Sequence, residues 1–286
     1  MSEHKISLSA DIQAVMDRVV ASGHSVFSPS GSKMWRTCPG SLLANLMVHD
    51  DAGPEAAEGT AAHGVGELWL KTRQKPKHLI GTQEIVHGHD WSWVIDIDQE
   101  MLGYVQEYVD WCRLLPGDHF VETKVFFSQL TPIPNQGGTA DHVACEPGRM
   151  VITDLKYGQG VPVYAENNSQ ALLYALGFFY AYDWWYDFQE FEIRICQPRL
   201  NIFDTWTVNR EYLLAFAEQV RKDAAAAWRH DAPRKASVEG CRWCRVKKTC
   251  AEHARFLLEM TYGAFDDLYE MKEVLQHRKF EDKRDV

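Results

Sequence analysis

The order of strand-like and helix-like segments predicts an α/β protein with a central mixed sheet flanked by helices. Three observations carry this reading. Phe120 to Phe127, Gly138 to Cys145 and Met150 to Lys156 have strand length and β-branched or aromatic content, and Glu146-Pro147-Gly148-Arg149 supplies turn chemistry between the last two. A long run of helical spacing, about Asn168 to Tyr186, separates these from two further strand-like segments, Phe191 to Pro198 and Phe203 to Val208. Ahead of them all, Gln99 to Leu115 places Met101, Leu102, Val105, Val109 and Trp111 at helical spacing. Helix, three strands, helix, two strands is the pattern of an α/β core.

The remaining elements follow from local signals. Residues 1–27 read as a polar helix and linker. Ser28-Pro29-Ser30-Gly31-Ser32 is a turn opening a short helix over Lys33 to Cys38; Pro39-Gly40-Ser41 breaks it, and Leu42 to Val48 resumes helically. Asp50 to Glu55 reads as loop. Thr60 is expected to N-cap a helix reaching about Lys71, with Glu58 and Gly59 outside it. Glu211 to Trp228 is helical, and a cysteine-rich segment follows. The expected organisation is an N-terminal helix and linker (1–27), a core (28–236), and a cysteine cluster with a helical tail (237–286) that packs with the Cys38 region.

A chain of 286 residues that is 45% hydrophobic can bury a substantial core. No apolar stretch approaches the length of a membrane span, so no membrane partner is expected. The first 20 residues lack an apolar h-region, which argues against a signal peptide. Seven cysteines, an odd count, then favour a reduced cytoplasmic setting and metal over disulfides. A net charge of −10 repels phosphate at long range, and composition alone does not suggest nucleic acid. Basic residues are nonetheless grouped, at Lys71 to Lys77, at Arg242, Arg245, Lys247 and Lys248, and near Lys279 to Arg284. Each group is equally an ordinary solvated surface.

Three short segments carry the chemistry. Asp154 and Lys156 are two apart in a strand and share a face. A hairpin centred on Pro147-Gly148 places Asp141 directly opposite Asp154, with Cβ atoms about 5 Å apart. Like charges so placed are destabilising unless a cation bridges them, and oxygen ligands suit Mg²⁺ or Mn²⁺. An isolated Asp-x-Lys is more simply a surface hairpin with a cross-strand ion pair. His63 and Glu67 share a helical face, as a metal ligand and its partner or as a core histidine bonded to a carboxylate. Gln170 and Tyr174 share another. Glu122 in Val121-Glu122-Thr123-Lys124 is a weaker candidate, and the aromatic run Phe178 to Tyr186 reads as core before base stacking.

Taken together, Gly138-x-x-Asp141, Asp154-x-Lys156, Gln170-x-x-x-Tyr174 and Gly59-Thr60-x-x-His63 make the chain, from about Ser30 to His253, resemble the RecB-like branch of the PD-(D/E)XK nuclease superfamily. Within that branch it is similar to phage-encoded exonucleases and to CRISPR-associated RecB-like exonucleases. The proline of the superfamily's name is absent here, and Ala140 precedes Asp141. The resemblance implies a restriction-endonuclease-like core. It also implies metal ligation by His63, Asp141, Asp154 and the Leu155 carbonyl, a catalytic role for Lys156, and a site-flanking role for Gln170 and Tyr174. The activity implied is Mg²⁺- or Mn²⁺-dependent hydrolysis of DNA, from ends, in phage recombination or replication. DNA, single- or double-stranded, and a single-strand annealing or binding protein are the partners implied, in the host cytoplasm for a phage-encoded chain. The rival reading is a catalytically silent DNA-binding or interaction protein.

Cys241-x₂-Cys244-x₅-Cys250 is a compact three-thiolate metal signal, and its fourth ligand is open. Cys38, far upstream in Trp35-Arg36-Thr37-Cys38-Pro39, would complete four thiolates suited to a [4Fe–4S] cluster, the split used by AddB-type and CRISPR-associated iron–sulfur nucleases. His253 would instead complete a local Cys₃His zinc site. Cys112, Cys145 and Cys196 read as buried structural thiols.

Overall fold

A computed structural model describes residues 2–22, 25–50, 52–88 and 91–262. The basic group near Lys279 and most of the expected helical tail lie outside them. The core is a five-stranded mixed sheet in the order β3 (Asp118–Phe126), β4 (Gly137–Glu146), β5 (Arg149–Leu155), β6 (Glu190–Gln197) and β7 (Ile202–Asn209). These follow α1 (Ser2–Ser22), α2 (Ser32–Thr37), α3 (Ser41–Leu46), α4 (Pro54–Thr72), the β1–β2 hairpin (Thr82–His87, Ser92–Ile97) and α5 (Gln99–Arg113). Helix α6 (Ser169–Tyr186) connects β5 to its parallel neighbour β6, and the other pairings in the sheet are antiparallel. Helices α7 (Arg210–Ala227) and the short α8 (Val238–Cys241) follow, and residues 251–262 are helical.

The sheet is covered on both faces, which explains why β5 reads as an almost continuous apolar run. One layer buries Phe27 and Trp35 with α6 and α7 residues such as Leu172, Phe178 and Leu213 against Val143, Ile152 and Ile193. The other packs α4 and α5, through Val65, Trp69, Leu102 and Val105, against Leu155 and Cys196. Helix α6 is buried all round through its first half, so its sequence shows little amphipathic stripe. Asn168 and Asn209 cap α6 and α7 with side-chain acceptors.

Two expectations need correction. Helix α4 begins at Pro54, with Gly53 as N-cap, so Glu58, Gly59 and Thr60 are interior. Proline at the first helical position supplies the start, and the Thr60 hydroxyl donates back to the Ala56 carbonyl (3.1 Å). The β1–β2 hairpin escapes the sequence reading because both of its faces carry apolar residues: Val86, Ile95 and Ile97 are buried, whereas Ile85 and Val94, cross-strand partners, are exposed. In the aromatic run, Phe178, Phe179 and Tyr186 are core residues, whereas Trp184 and Trp185 at the end of α6 are exposed.

Candidate functional site

The β4–β5 hairpin closes on Pro147-Gly148, with Gly148 at φ +80°, the left-handed value a turn of this kind requires. Its register runs from Glu146↔Arg149 to His142↔Thr153, and the next position in that register is Asp141 opposite Asp154. On the other side of β4, Val121↔His142 and Thr123↔Ala140 bracket Glu122 opposite Asp141. Three carboxylates therefore lie in one row across β3, β4 and β5. Glu122 occupies the left-handed region at φ +46°, strained for a side chain of its size.

Helix α4 brings His63 to this row. Its Nδ1 lies 3.3 Å from Asp141 Oδ1 and 3.9 Å from Glu122 Oε1. Ligand atoms of His63, Glu122 and Asp141 all fall within 4.8 Å of one another, a spacing one small cation can bridge. Glu67 does not join them: it pairs with Lys71 one turn further along the helix. The other oxygen of Asp141 accepts from the Leu155 amide (2.7 Å), tying the peptide beside Asp154 to the row.

Asp154 is 1% exposed, and its charged partner is the Lys156 ammonium, 2.8 Å from Oδ2. Lys156 Nζ also donates to Gln170 Oε1 at 2.8 Å. The Gln170 amide in turn donates to the Tyr174 hydroxyl (3.2 Å). His63, Glu122 and Asp141 are a donor set that fits a divalent cation; Asp154, buried and next in register to Asp141, lies outside that closest group.

The electrostatics agree with that fit. Burial raises Asp154 above its ordinary range, reinforced by Asp141 and opposed by Lys156. Burial acts the same way on Asp141, but His63 and Lys156 outweigh it and hold that carboxyl low. Burial disfavours the His63 cation, yet Asp141, Glu122 and Asp154 override it and raise its pKa to about 10.

Because Asp154 has a raised folded pKa, its ionised form opposes folding, a penalty that grows as pH rises above the ordinary carboxylate value toward the raised one. Asp154→Asn is therefore expected to raise the Tm of the protein in chelator, by more at higher pH. Mn²⁺ should stabilise the parent and not the variant, and a lower Tm for the variant would contradict this electrostatic account.

The glycine of Gly-x-x-Asp is required by space. A Cβ on Gly138 would stand 2.7 Å from Pro29 Cγ and 3.1 Å from Tyr174 Cε1. Gly138→Ala is expected to destabilise by about 1–3 kcal/mol as Pro29 and Tyr174 are pushed apart, read by urea unfolding. Sequence reasoning missed the loop support. Gln197, 2% exposed, donates to the Gly158 and Val161 carbonyls and accepts from the Val163 amide, holding the segment between Lys156 and α6. Arg199, paired to Glu58 (2.9 Å) and lying over Tyr157, likewise fixes α4 beside β5.

A second constellation lies where the segment around Cys38 meets the segment around Cys241. Cys38, Cys241, Cys244 and Cys250 are buried and line one cavity with His253. The Lys235 amide donates to Cys38 Sγ (3.2 Å) and Asn45 Nδ2 to Cys244 Sγ (3.4 Å). Burial raises the Cys38 thiol, with Cys244 and Cys241 adding to it. His253 Nδ1 lies 3.0 Å from the Lys247 carbonyl, so it donates there and leaves Nε2 as the ring's acceptor. Cys112, Cys145 and Cys196 are buried elsewhere, and burial pushes Cys145 up to about 12.

A family model described as "Protein of unknown function (DUF2800)" matches residues 24–283, and the chain belongs to that family. Among solved structures, a crystal structure of SSO0001 is similar at 11% identity, covering 77% of this chain and 83% of that one, with a TM-score of 0.33. No helix among the described residues is long and apolar enough to cross a membrane.

Proposed function

We propose that this protein is a metal-dependent nuclease of the RecB-like PD-(D/E)XK kind, hydrolysing phosphodiester bonds at the carboxylate row. One observation carries the reading: Glu122, Asp141 and the buried Asp154 stand in register, His63 lies against the first two, and Lys156 pairs with Asp154 at 2.8 Å. His63, Asp141 and Asp154, with Glu122 and the Leu155 carbonyl, would hold Mg²⁺ or Mn²⁺. Bound there, the cation would polarise the scissile phosphate and lower the pKa of a coordinated water. Lys156 orients the attacking water and offsets charge on the phosphorane-like transition state. Gln170, anchored by Tyr174, holds the Lys156 ammonium toward the site. Action on DNA ends, and a place in phage recombination or replication beside an annealing or binding protein, rest on the resemblance.

The test is degradation of end-labelled linear DNA by anaerobically purified protein with Mn²⁺, with chelator, and with the Asp141→Asn variant. Cleavage should require the cation and Asp141. Equal cleavage by the variant would identify a contaminant, and inactivity of the parent on both DNA and RNA would sink the proposal.

For the cysteines we propose a [4Fe–4S] cluster held by Cys38, Cys241, Cys244 and Cys250. The four buried thiols line one cavity, and Cys38 from the distant upstream segment is among them, which supports a four-thiolate centre. The bond from His253 Nδ1 to a carbonyl, which leaves Nε2 for ligation, is the observation that favours zinc.

A further inference from the structure

The geometry points to a nucleic-acid track on the α4–α5 side of the sheet: we propose that the cleft formed by the C-terminal ends of α4 and α5 and the edge strand β3 carries the phosphate backbone toward the carboxylate row. It is a cleft of about 600 Å³ lined by Leu70, Lys71, Arg73, Arg113, His119 and Val121. Three cations converge there, and no carboxylate is in the wall, in a chain whose net charge is −10. Local positive charge of this kind is what an otherwise acidic protein needs to hold a polyanion.

The cations differ in how far they are already satisfied. Arg113 donates to the Trp69 carbonyl at the end of α4 (3.1 Å), and Lys71 pairs with Glu67. Arg73 is exposed, sits in the left-handed C-cap position at φ +58°, and makes no ion pair among the described residues. His119 is held by His142 (2.8 Å) and the Leu115 carbonyl (3.0 Å), so it forms a fixed wall. Leu70 and Val121 offer apolar surface for sugar rings.

Two elements join this cleft to the site. Val121 immediately precedes Glu122 in β3, and Lys71 follows His63 by eight residues of one helix, about 12 Å of rise. A strand lying in the cleft would therefore deliver a phosphate some few nucleotides along to the carboxylates. The inference rests on the nuclease reading for its direction, but binding is measurable without cleavage.

The experiment measures fluorescence anisotropy of a labelled 20-nucleotide single-stranded DNA with full-length Lys156→Ala protein in Mg²⁺, against the same protein carrying Lys71→Gln and Arg73→Gln. Both replacements suit their backbone positions, and circular dichroism checks the fold. Loss of two phosphate contacts should weaken binding about tenfold and flatten the log K against log salt slope by about 1.4. Unchanged affinity and slope would overturn the track, as would a parent that does not bind DNA or one from which mononucleotide displaces the strand at equal phosphate concentration. Cleavage by the otherwise wild-type protein, scored separately, decides the nuclease reading: DNA binding lost with the two cations, but no cleavage, would leave the track standing and that reading refuted.

Discussion

Lys156→Ala is expected to lower DNA cleavage by roughly 10²–10³-fold or more, the cost of removing one preorganised charge from a phosphoryl transition state. The side chain is three-quarters buried, its ammonium held between Asp154 and Gln170, so little reorganisation is needed when charge develops on the phosphate. The fold should persist, because Lys156 packs no core and its backbone amide bonds to the Cys196 carbonyl regardless of side chain. Gln170→Ala should act through the same group more weakly, about tenfold in kcat with little change in KM, since it leaves the ammonium present but unaimed. Rates from steady-state cleavage of one oligonucleotide decide both. A larger loss in the Gln170 variant than in the Lys156 variant would mean that the glutamine touches substrate itself.

Cys241→Ser is expected to release the cysteine-bound metal and to destabilise the protein severely. The proposed centre would join Cys38 to the segment around Cys241 across about two hundred residues, and a crosslink closing a loop of that order contributes on the order of 4–5 kcal/mol through chain entropy. At this size that corresponds to a fall in Tm of about 10–20 °C. Iron and acid-labile sulfide in the parent, lost together in the variant, would support the cluster. Zinc alone in the parent, retained in Cys38→Ser but lost in His253→Gln, would replace it with the local Cys₃His site.

The three central strands were legible because they are buried on both faces and the β4–β5 turn carries Pro-Gly chemistry. The hairpin centre at Pro147-Gly148 determined the register, and with it the opposition of Asp141 and Asp154, before any coordinates. What the sequence hid is instructive. Glu122 enters the row by a strained φ that no spacing rule reveals, and a lone strand glutamate reads as surface. Glu67 looked equivalent to any partner of His63 on a helical face, yet its nearest cation is Lys71, and the true neighbours of His63 come from two strands distant in sequence. Gln197 and Arg199 act through backbone carbonyls and ring faces, contacts that leave no residue pattern.

The meeting of the Cys38 and Cys241 segments also has a mechanical meaning. Gly40 N to Pro233 O, Arg36 to Asp223, Lys33 to Glu239 and Arg245 N to Asn45 already fasten the segment around Cys38 to the segment around Cys241, and the thiols lie between them. Tension applied across Lys33 and Arg245 would load this junction ahead of residues 39–240, which hold the entire sheet and the carboxylate row. In a single-molecule pull, the core should lengthen only after the junction ruptures, in one step of about 200 residues, on the order of 700 Å of contour.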